Sequence, residues 1–331
     1  MSDIGKELIE IGEDLYQGKI KGENSLGNSE NMIFEMETET SLIILRISPY
    51  SKEKHSHVEL EAYWLRHLSK SMEEVARVVE SVRGRHFEVV SIHGDKYILM
   101  AFEKAPGKPV DVEDPKEWNE DLFERLGEVM GRMHSLSKEI QENKEFERAH
   151  PWHRDIFFQQ EFDSCHDGEI QKLWERITAE LGKLRKSKDS YGIIHNDLHQ
   201  LNFFMHNRRI TVFDFDNCLY SWYAMDIAIT LYQVASIPPY KDRKARNQLA
   251  EAFIIPFLRG YGRHNSLDPF WADYLPLFLK YRRICSYRFV KHLVKKEKNP
   301  MLQEYAHWIE QEVLRDGDYL SLDFNRIRSM F

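Results

Sequence analysis

The sequence predicts an α+β protein with a small, β-rich N-terminal lobe and a larger, mainly helical C-terminal lobe. Short β-branched and aromatic runs dominate the first third of the chain, and long amphipathic helical patterns dominate the rest. The length of 331 residues is about twice that of a typical domain, which leaves room for two lobes. We therefore expect a smaller lobe over residues 1–103 and a helical lobe over residues 104–331.

Four β-strands and one helix are predicted in the N-terminal lobe. The helix covers about residues 57–68, because Leu60, Tyr63, Trp64 and Leu68 recur at helical spacing. Turn residues such as His93-Gly94-Asp95 separate the apolar runs from one another. The predicted strands cover residues 32–36, 42–47, 87–92 and 97–102.

The pattern changes after Ala105-Pro106-Gly107, where the amphipathic helices begin. A single exception interrupts them, since residues 203–205 and 210–213 read as two short strands joined by a turn at Asn207-Arg208. Loops are expected on both sides of this hairpin. Helices are predicted over 122–133 and 170–184, from about 226, from about 244, and through most of 270–315.

Composition and charge exclude several classes of partner. There are 46 Lys and Arg against 54 Asp and Glu, and a net charge of -8 argues against a protein that coats nucleic acid or an anionic membrane. The cysteines at 165, 218 and 285 are far apart, so neither a disulfide framework nor a zinc site is indicated. The N-terminus lacks the apolar core of a signal peptide. We expect a cytoplasmic protein with a small-molecule partner, and no expectation follows for its oligomeric state.

One segment has the pattern needed for phosphoryl transfer. It reads Ile194-His-Asn-Asp-Leu-His-Gln-Leu-Asn202 and is followed by Val212-Phe-Asp-Phe-Asp-Asn217. The reaction needs a carboxylate that accepts the proton of an attacking hydroxyl, and oxygen ligands that hold magnesium against nucleotide phosphates. Asp197 is the candidate base, and Asn202 and Asp214 are the candidate Mg²⁺ ligands. Hard oxygen donors of this kind favour magnesium over zinc.

Three neighbouring residues have less specific interpretations. His195 is expected to hold the loop by hydrogen bonding rather than to contact substrate. His199 is either within reach of the transferred phosphate or an exposed loop residue without a role. Asp226 is interpreted as the N-cap of a helix, with a hydrogen bond to the catalytic loop as an addition to that role.

The catalytic segment resembles that of the aminoglycoside phosphotransferase and choline kinase group, which includes type II homoserine kinases and the bacterial stress-response kinase. The resemblance extends over nearly the whole chain and implies a protein-kinase-like bilobal fold and ATP as phosphoryl donor. It also implies that the lobe over residues 1–103 binds the nucleotide, through several contacts, and that the lobe over residues 104–331 carries the catalytic loop and the acceptor site. Gly27, in Gly27-Asn-Ser-Glu-Asn31, matches the group's degenerate phosphate loop. Arg46 matches the cation that binds phosphate, and Glu61 matches the acidic partner of that cation. Phe102 to Lys104 match the hinge that binds adenine.

The chain departs from that group's pattern at two of these positions. Arg46 stands where many relatives have Lys, and a planar guanidinium is not equivalent to a point ammonium. The phosphate loop has a single glycine, and Gly27 is also compatible with the end of a turn. Taken alone, Arg46 and Glu61 also fit a surface charge and a solvated helix residue; their order relative to the catalytic loop favours the nucleotide site.

Other functions fit parts of the same segment. Asp214 and Asp216 match the first motif of haloacid-dehalogenase-type phosphatases, although their position late in the chain argues against a parallel α/β domain. A nucleotide-binding pseudokinase scaffold is a further alternative. A protein kinase is disfavoured, because Asp216 replaces the Gly of its metal motif and the distance from Asp214 to Asp226 is too short for an activation segment.

The acceptor stays open between an aminoglycoside, an amino alcohol and a homoserine-like compound. Arg282, Arg283 and Arg288 follow one predicted helix and are candidates to meet a carboxylate or phosphate on the substrate. Aromatic residues in the same region fit either cation–π contacts or core packing. The choice between ATP and GTP is not predicted either.

Overall fold

The computed structural model describes residues 3–22, 31–140, 144–154 and 167–331. Its contacts divide the chain into two compact units. Unit 1 contains Met1–Pro109 and Leu201–Cys218, and unit 2 contains Val110–Gln200 and Leu219–Phe331. The chain is therefore a β-sheet N-terminal unit and a helical C-terminal unit, as the sequence predicts for the fold class.

A six-stranded sheet is the centre of unit 1. Its path runs β1-β2-β3-β6-β4, with β5 also paired to β6, and every one of these pairs is antiparallel. Helix α1 packs on one side through Leu8 and Leu15, which are buried with Phe34 and Leu45. The elements are α1 (Asp3–Tyr16), β1 (Gly18–Ile20), β2 (Met32–Thr38), β3 (Leu42–Pro49), α2 (Lys52–Leu68), β4 (Val78–Val79), β5 (Glu88–Ile92) and β6 (Asp95–Glu103).

Helix α2 begins five residues before the predicted start at 57. Its N-cap is Ser51, whose side chain accepts a hydrogen bond from the Lys54 N–H, so the capping signal lies before the apolar stripe. Glu53 in the first turn and Arg66 in the last turn complement the helix dipole. The stripe ends on Leu68, and the helix ends there as expected.

A two-stranded hairpin from later in the chain belongs to unit 1. It consists of β8 (Phe203–His206) and β9 (Arg209–Val212), as predicted, with Asn207 and Arg208 both at positive φ in the turn. Val212 joins the hairpin to the segment before β4, because its N–H donates to the Glu74 carbonyl and its carbonyl accepts from Ala76. The hairpin thus carries Asn202 and Asp214 into the unit that holds Arg46.

Unit 2 is mainly helical, and its described residues include one short antiparallel strand pair, β7 (Tyr191–Ile194) with β10 (Leu219–Trp222). The predicted helical region 270–315 contains a 3-10 helix and two α-helices, and residues 297–299 separate the two α-helices. No helix of the described ranges is long and apolar enough to cross a membrane. The elements are α3 (Glu120–Glu139), α4 (Lys144–Ala149), α5 (Asp167–Leu181), β7 (Tyr191–Ile194), β10 (Leu219–Trp222), α6 (Tyr223–Ala235), α7 (Arg243–Tyr261), α8 (Leu275–Lys296), α9 (Pro300–Leu314) and α10 (Phe324–Arg328).

Helices α3 and α7 approach each other closely at two glycines. A Cβ on Gly127 would lie 1.9 Å from the Phe257 carbonyl oxygen, and one on Gly260 would lie 1.8 Å from the Glu124 carbonyl oxygen. Neither backbone has room for a larger residue. This contact brings His134 on α3 beside Tyr261 on α7, and both take part in the site described below.

Candidate active site

A buried ion pair joins the sheet of unit 1 to helix α2. Arg46 on β3 and Glu61 on α2 have side chains that are 5% and 1% exposed. Arg46 Nη1 donates to Glu61 Oε1 at 3.0 Å, and Nη2 donates to Oε2, so the pair is bidentate. Burial opposes the charged guanidinium, but the Glu61 carboxylate and then Asp216 and Asp214 outweigh it and raise the pKa of Arg46. Glu61 thus holds the Arg46 guanidinium charged and in a fixed position on β3.

We expect Glu61→Ala to lower the free energy of unfolding by about 3–5 kcal/mol, because it leaves the Arg46 charge buried without its carboxylate. Urea unfolding followed by circular dichroism measures this loss. The matched control is Glu59→Ala on the same helix, where the glutamate is 45% exposed and pairs with His55. That variant should change the free energy of unfolding by less than about 0.5 kcal/mol. Equal losses in the two variants would contradict a special role for the buried pair.

The two predicted metal ligands lie on adjoining segments of unit 1. The Phe213 N–H donates to the Asn202 carbonyl at 2.9 Å, which places Asp214 one residue beyond this contact. Asp214 has a φ of 63°, and this left-handed conformation turns the chain after β9. Phe215 is fully buried and packs edge-to-face on Trp64 at 5.3 Å. The loop that carries Asp214 is therefore anchored on α2.

The donor set suits a hard divalent cation. Asn202 and Asp214 offer amide and carboxylate oxygens, which are the ligands that Mg²⁺ takes alongside water and phosphate oxygens. The described residues hold no cluster of three or more His, Cys, Asp or Glu that would form an all-protein metal cage. A site of two protein ligands fits a metal shared with nucleotide phosphates. Asp216 points elsewhere, to Lys54, with 3.5 Å between its Oδ2 and Nζ.

The predicted hinge forms the end of β6. The Glu103 N–H donates to the Arg77 carbonyl and the Lys104 N–H donates to the Leu42 carbonyl, so these two donors are already used inside unit 1. The Lys104 ammonium pairs with Glu35 at 2.5 Å. The Phe102 ring lies 5.1 Å from the Arg46 guanidinium carbon. Gly27, the remaining predicted nucleotide contact, lies outside the described residues.

Asp197, the predicted base, lies in unit 2 just after β7 and is held by two helices. Arg282 Nη2 on α8 donates to Asp197 Oδ1 at 2.6 Å, and Gln233 Nε2 on α6 donates to the same oxygen at 3.0 Å. His199 Nε2 lies 3.7 Å from Oδ2. Burial would raise the pKa of Asp197, but Arg282, followed by His199 and His195, lowers it to about 2. The carboxylate is therefore ionised throughout the neutral range.

Asp226 holds the backbone just before Asp197. Its Oδ2 accepts the His195 N–H at 3.0 Å and its Oδ1 accepts the Asn196 N–H at 2.8 Å. Asn196 has a φ of 68°, so these bonds fix a strained residue next to Asp197. The N-cap interpretation of Asp226 is wrong: the residue is fully buried in the first turn of α6, and Trp222 is the cap. Its bond to the loop is confirmed.

The interpretation of His195 agrees with the structure, since this side chain is fully buried and the Asp197 N–H donates to its Nδ1 at 3.3 Å. A second histidine extends the same network. His134 Nε2 lies 3.0 Å from Asp226 Oδ2 and its Nδ1 lies 3.0 Å from the Tyr261 hydroxyl. Burial lowers the pKa of His134 and outweighs the hydrogen bond and the charge of Asp226, which act to raise it. Polar groups from three helices thus support the loop.

Sequence reasoning missed Gln233, His134 and Lys54 and gave Arg282 a different partner. Arg282 meets the chain's own Asp197 rather than a substrate group, while its neighbour Arg283 donates to the Gly317 carbonyl at 3.1 Å. Arg288 stacks over Trp174. The same helix also carries Lys280, Arg283 and further cations, so the sequence does not single out Arg282, and nothing local indicates its partner 85 positions away.

Comparison with known proteins gives a family match over residues 25–272, to the phosphotransferase enzyme family. The amicoumacin kinase of Bacillus subtilis (strain 168) is 33% identical over 304 residues, which cover 86% of each chain.

Two solved structures show the same architecture. Amicoumacin kinase hAmiN, in complex with AMP-PNP, Ca²⁺ and Ami, superposes with a TM-score of 0.85 at 29% identity, covering 97% of this chain and 96% of its own. A microcompartment-associated aminopropanol kinase superposes with a TM-score of 0.71 at 19% identity over 95% of both chains. The kinase-like fold predicted from the sequence is thereby confirmed.

The comparisons give no support to the phosphatase alternative. The structure supplies a physical reason, because Asp214 follows β9, one strand of an antiparallel hairpin with β8. The phosphatase nucleophile would need the first strand of a parallel sheet.

Proposed function

The chain belongs to the phosphotransferase enzyme family, and from that premise we propose that it transfers the γ-phosphoryl group of ATP to a hydroxyl of an amicoumacin-like molecule. The observation that carries this proposal is the state of Asp197. Its carboxylate is ionised and oriented by two helices, at the position where the sequence pattern puts the proton acceptor.

The reaction is a single displacement at phosphorus. The acceptor oxygen forms a bond to the γ-phosphorus, the bond from that phosphorus to the β–γ bridging oxygen breaks, and ADP leaves with the electron pair. The hydroxyl proton passes to Asp197. With a pKa of about 2, this carboxylate is a weak base, so it orients the hydroxyl first and takes the proton as the transition state develops.

We assign the nucleotide to the residues of unit 1. Arg46, positioned by Glu61, grips the inner phosphates, and Gly27 belongs to the phosphate loop. Asn202 and Asp214 hold Mg²⁺, which would neutralise charge on the phosphates when bound. Phe102 to Lys104 form the adenine hinge. Because the Glu103 and Lys104 N–H groups already donate within the unit, adenine is met by their carbonyls and by the backbone that follows.

The acceptor class follows from the similarity to amicoumacin kinases. That likeness extends along 86% of the chain in sequence and 97% in structure, so it includes the helical region in which an acceptor pocket is expected. The aminopropanol kinase, at 19% identity, supports the fold alone. A cytoplasmic location agrees with ATP as donor and with the free thiols of Cys218 and Cys285.

The test is a comparison of acceptors by coupled ADP release with Mg-ATP. Amicoumacin A should give a kcat/KM at least about 100-fold above that of 1-aminopropan-2-ol, choline, homoserine and kanamycin, because pocket contacts act on the transition state. The Asp197→Asn protein serves as a blank for contaminating kinases. A higher kcat/KM with any other acceptor would overturn the amicoumacin assignment. Turnover with none, despite nucleotide binding, would favour the pseudokinase alternative.

A further inference from the structure

Arg282 occupies an unusual place for a buried cation, because it contacts the carboxylate to which we assign the chemistry. Its side chain is 8% exposed and that of Asp197 is 20% exposed, so the pair is shielded from water on the arginine side. The second amino group, Nη1, lies 3.4 Å from the Asn196 carbonyl oxygen. One guanidinium therefore contacts two consecutive residues of the catalytic loop.

We propose that Arg282 is a positioning residue of the phosphotransfer reaction, whose guanidinium anchors Asp197 by Oδ1 and keeps the carboxylate ionised and in one orientation toward the acceptor hydroxyl. This inference rests on the proposed function of Asp197 and goes beyond it. Neither the sequence pattern of the loop nor the family match assigns a partner to Asp197.

Two helices each supply one hydrogen-bond donor to the same Asp197 oxygen. Arg282 on α8 supplies a charge and Gln233 on α6 supplies a neutral hydrogen bond, and both end on Oδ1. Because two donors from different directions meet one oxygen, rotation of the carboxylate about its Cβ–Cγ bond would break both bonds. Orientation of this kind is worth a large factor in rate, since a displacement of about 1 Å at a reacting group costs on the order of 100-fold.

Among the described residues, Arg282 from α8 and the loop residues His199 and His195 lower the pKa of Asp197. Arg282 is the largest of the influences that lower the pKa of Asp197, and burial acts in the opposite direction. Without the guanidinium, burial would raise the pKa of the carboxyl toward or above the ordinary value of about 4. A protonated Asp197 is unable to accept the hydroxyl proton, so activity should then be lost on the acid side.

The first measurement is the pH profile of kcat/KM for the acceptor between pH 4.5 and 8. Wild type should lose no activity to protonation of Asp197 in this range, because the pKa of that carboxyl is about 2. We expect Arg282→Gln to bring an acid limb into the range, since burial then acts without the opposing guanidinium, and to lower kcat about 10- to 100-fold at pH 7.5. Gln233→Leu should lower kcat without an acid limb in the range, since it removes no charge, and Lys280→Gln, which removes a cation of the same helix that pairs with Asp316 and Asp318, should match wild type. An Arg282→Gln profile without an acid limb in the range, as in wild type, would overturn the proposal.

The second measurement is a double-mutant cycle with Asp197→Asn. Arg282→Gln should lower kcat by less than about threefold when Asp197 is already replaced, because its effect passes through that carboxylate. An equal loss in both backgrounds would refute the inference while leaving the role of Asp197 intact. A fully active Asp197→Asn protein would instead refute the proposed function itself.

Arg282→Lys covers the case in which the glutamine variant does not fold. Lysine keeps the charge but loses the planar fork that contacts both Asp197 and Asn196. We expect no acid limb between pH 4.5 and 8, as in wild type, and a kcat between those of wild type and Asp197→Asn. An acid limb within that range in a folded Arg282→Lys protein would also contradict the proposal.

Discussion

Replacement of Asp197 by Asn is expected to lower kcat by about 100- to 10,000-fold and to leave the affinity for Mg-ATP unchanged. Asparagine keeps the shape of the side chain and a carbonyl oxygen for Arg282 and Gln233, but it is unable to accept a proton. Because we assign nucleotide binding to other residues, the substitution should lower kcat without changing the affinity for the nucleotide. Steady-state kinetics and calorimetric titration with AMP-PNP and Mg²⁺ measure the two quantities separately.

The matched control is Asp189→Asn, which removes the same charge from an exposed loop position of unit 2. It should leave kcat within about twofold of wild type. Thermal unfolding of both proteins guards against a loss of structure, since the Asn variant leaves the Arg282 charge without its carboxylate. A folded Asp197→Asn protein with wild-type kcat would remove Asp197 from the mechanism.

The second large effect is expected from Asp214→Asn, which should abolish the metal-dependent part of nucleotide binding. Calorimetry with AMP-PNP in the presence of Mg²⁺ and in the presence of EDTA measures that part as the difference between two affinities. In wild type the metal should strengthen binding by at least about 10-fold, because it links a protein carboxylate to the phosphates. In the variant the two affinities should agree within about twofold.

Asp95→Asn is the control for this variant, because it removes one carboxylate from the exposed first residue of β6 in the same unit. It should bind AMP-PNP with the metal dependence of wild type. If Asp214→Asn retained the full metal dependence, the assignment of Asp214 as a metal ligand would be wrong and Asp216 would become the next carboxylate to test.

Local sequence patterns are enough to predict much of the secondary structure of unit 1. The hairpin of β8 and β9 follows from two short runs of strand-forming residues on either side of Asn207, a residue type that tolerates positive φ. The strands β2, β3, β5 and β6 follow from β-branched runs between turns. Helix α1 is not among the elements predicted from the sequence, although Leu8 and Leu15 lie on one of its faces and are buried against the sheet.

The support of the candidate base was not predictable from sequence, since it depends on contacts between distant segments. The Gln233 and Arg282 side chains reach Asp197 across 36 and 85 positions, and His134 reaches Asp226 across 92. Each of these residues has an ordinary local role on an amphipathic helix. Asp226 is the clearest example of a role that sequence patterns do not indicate. Its position near the start of a helix predicts an N-cap, whereas in the structure it is a buried acceptor for two backbone N–H groups of the loop.

The central claim is direct transfer of the γ-phosphoryl group to an acceptor hydroxyl, and ³¹P NMR of the reaction tests it most directly. The wild-type protein with Mg-ATP and amicoumacin A should yield one phosphate monoester resonance for each ADP formed, coupled to the proton on the carbon that carried the hydroxyl. ADP accompanied only by inorganic phosphate, or an acyl phosphate on Asp214, would contradict the claim.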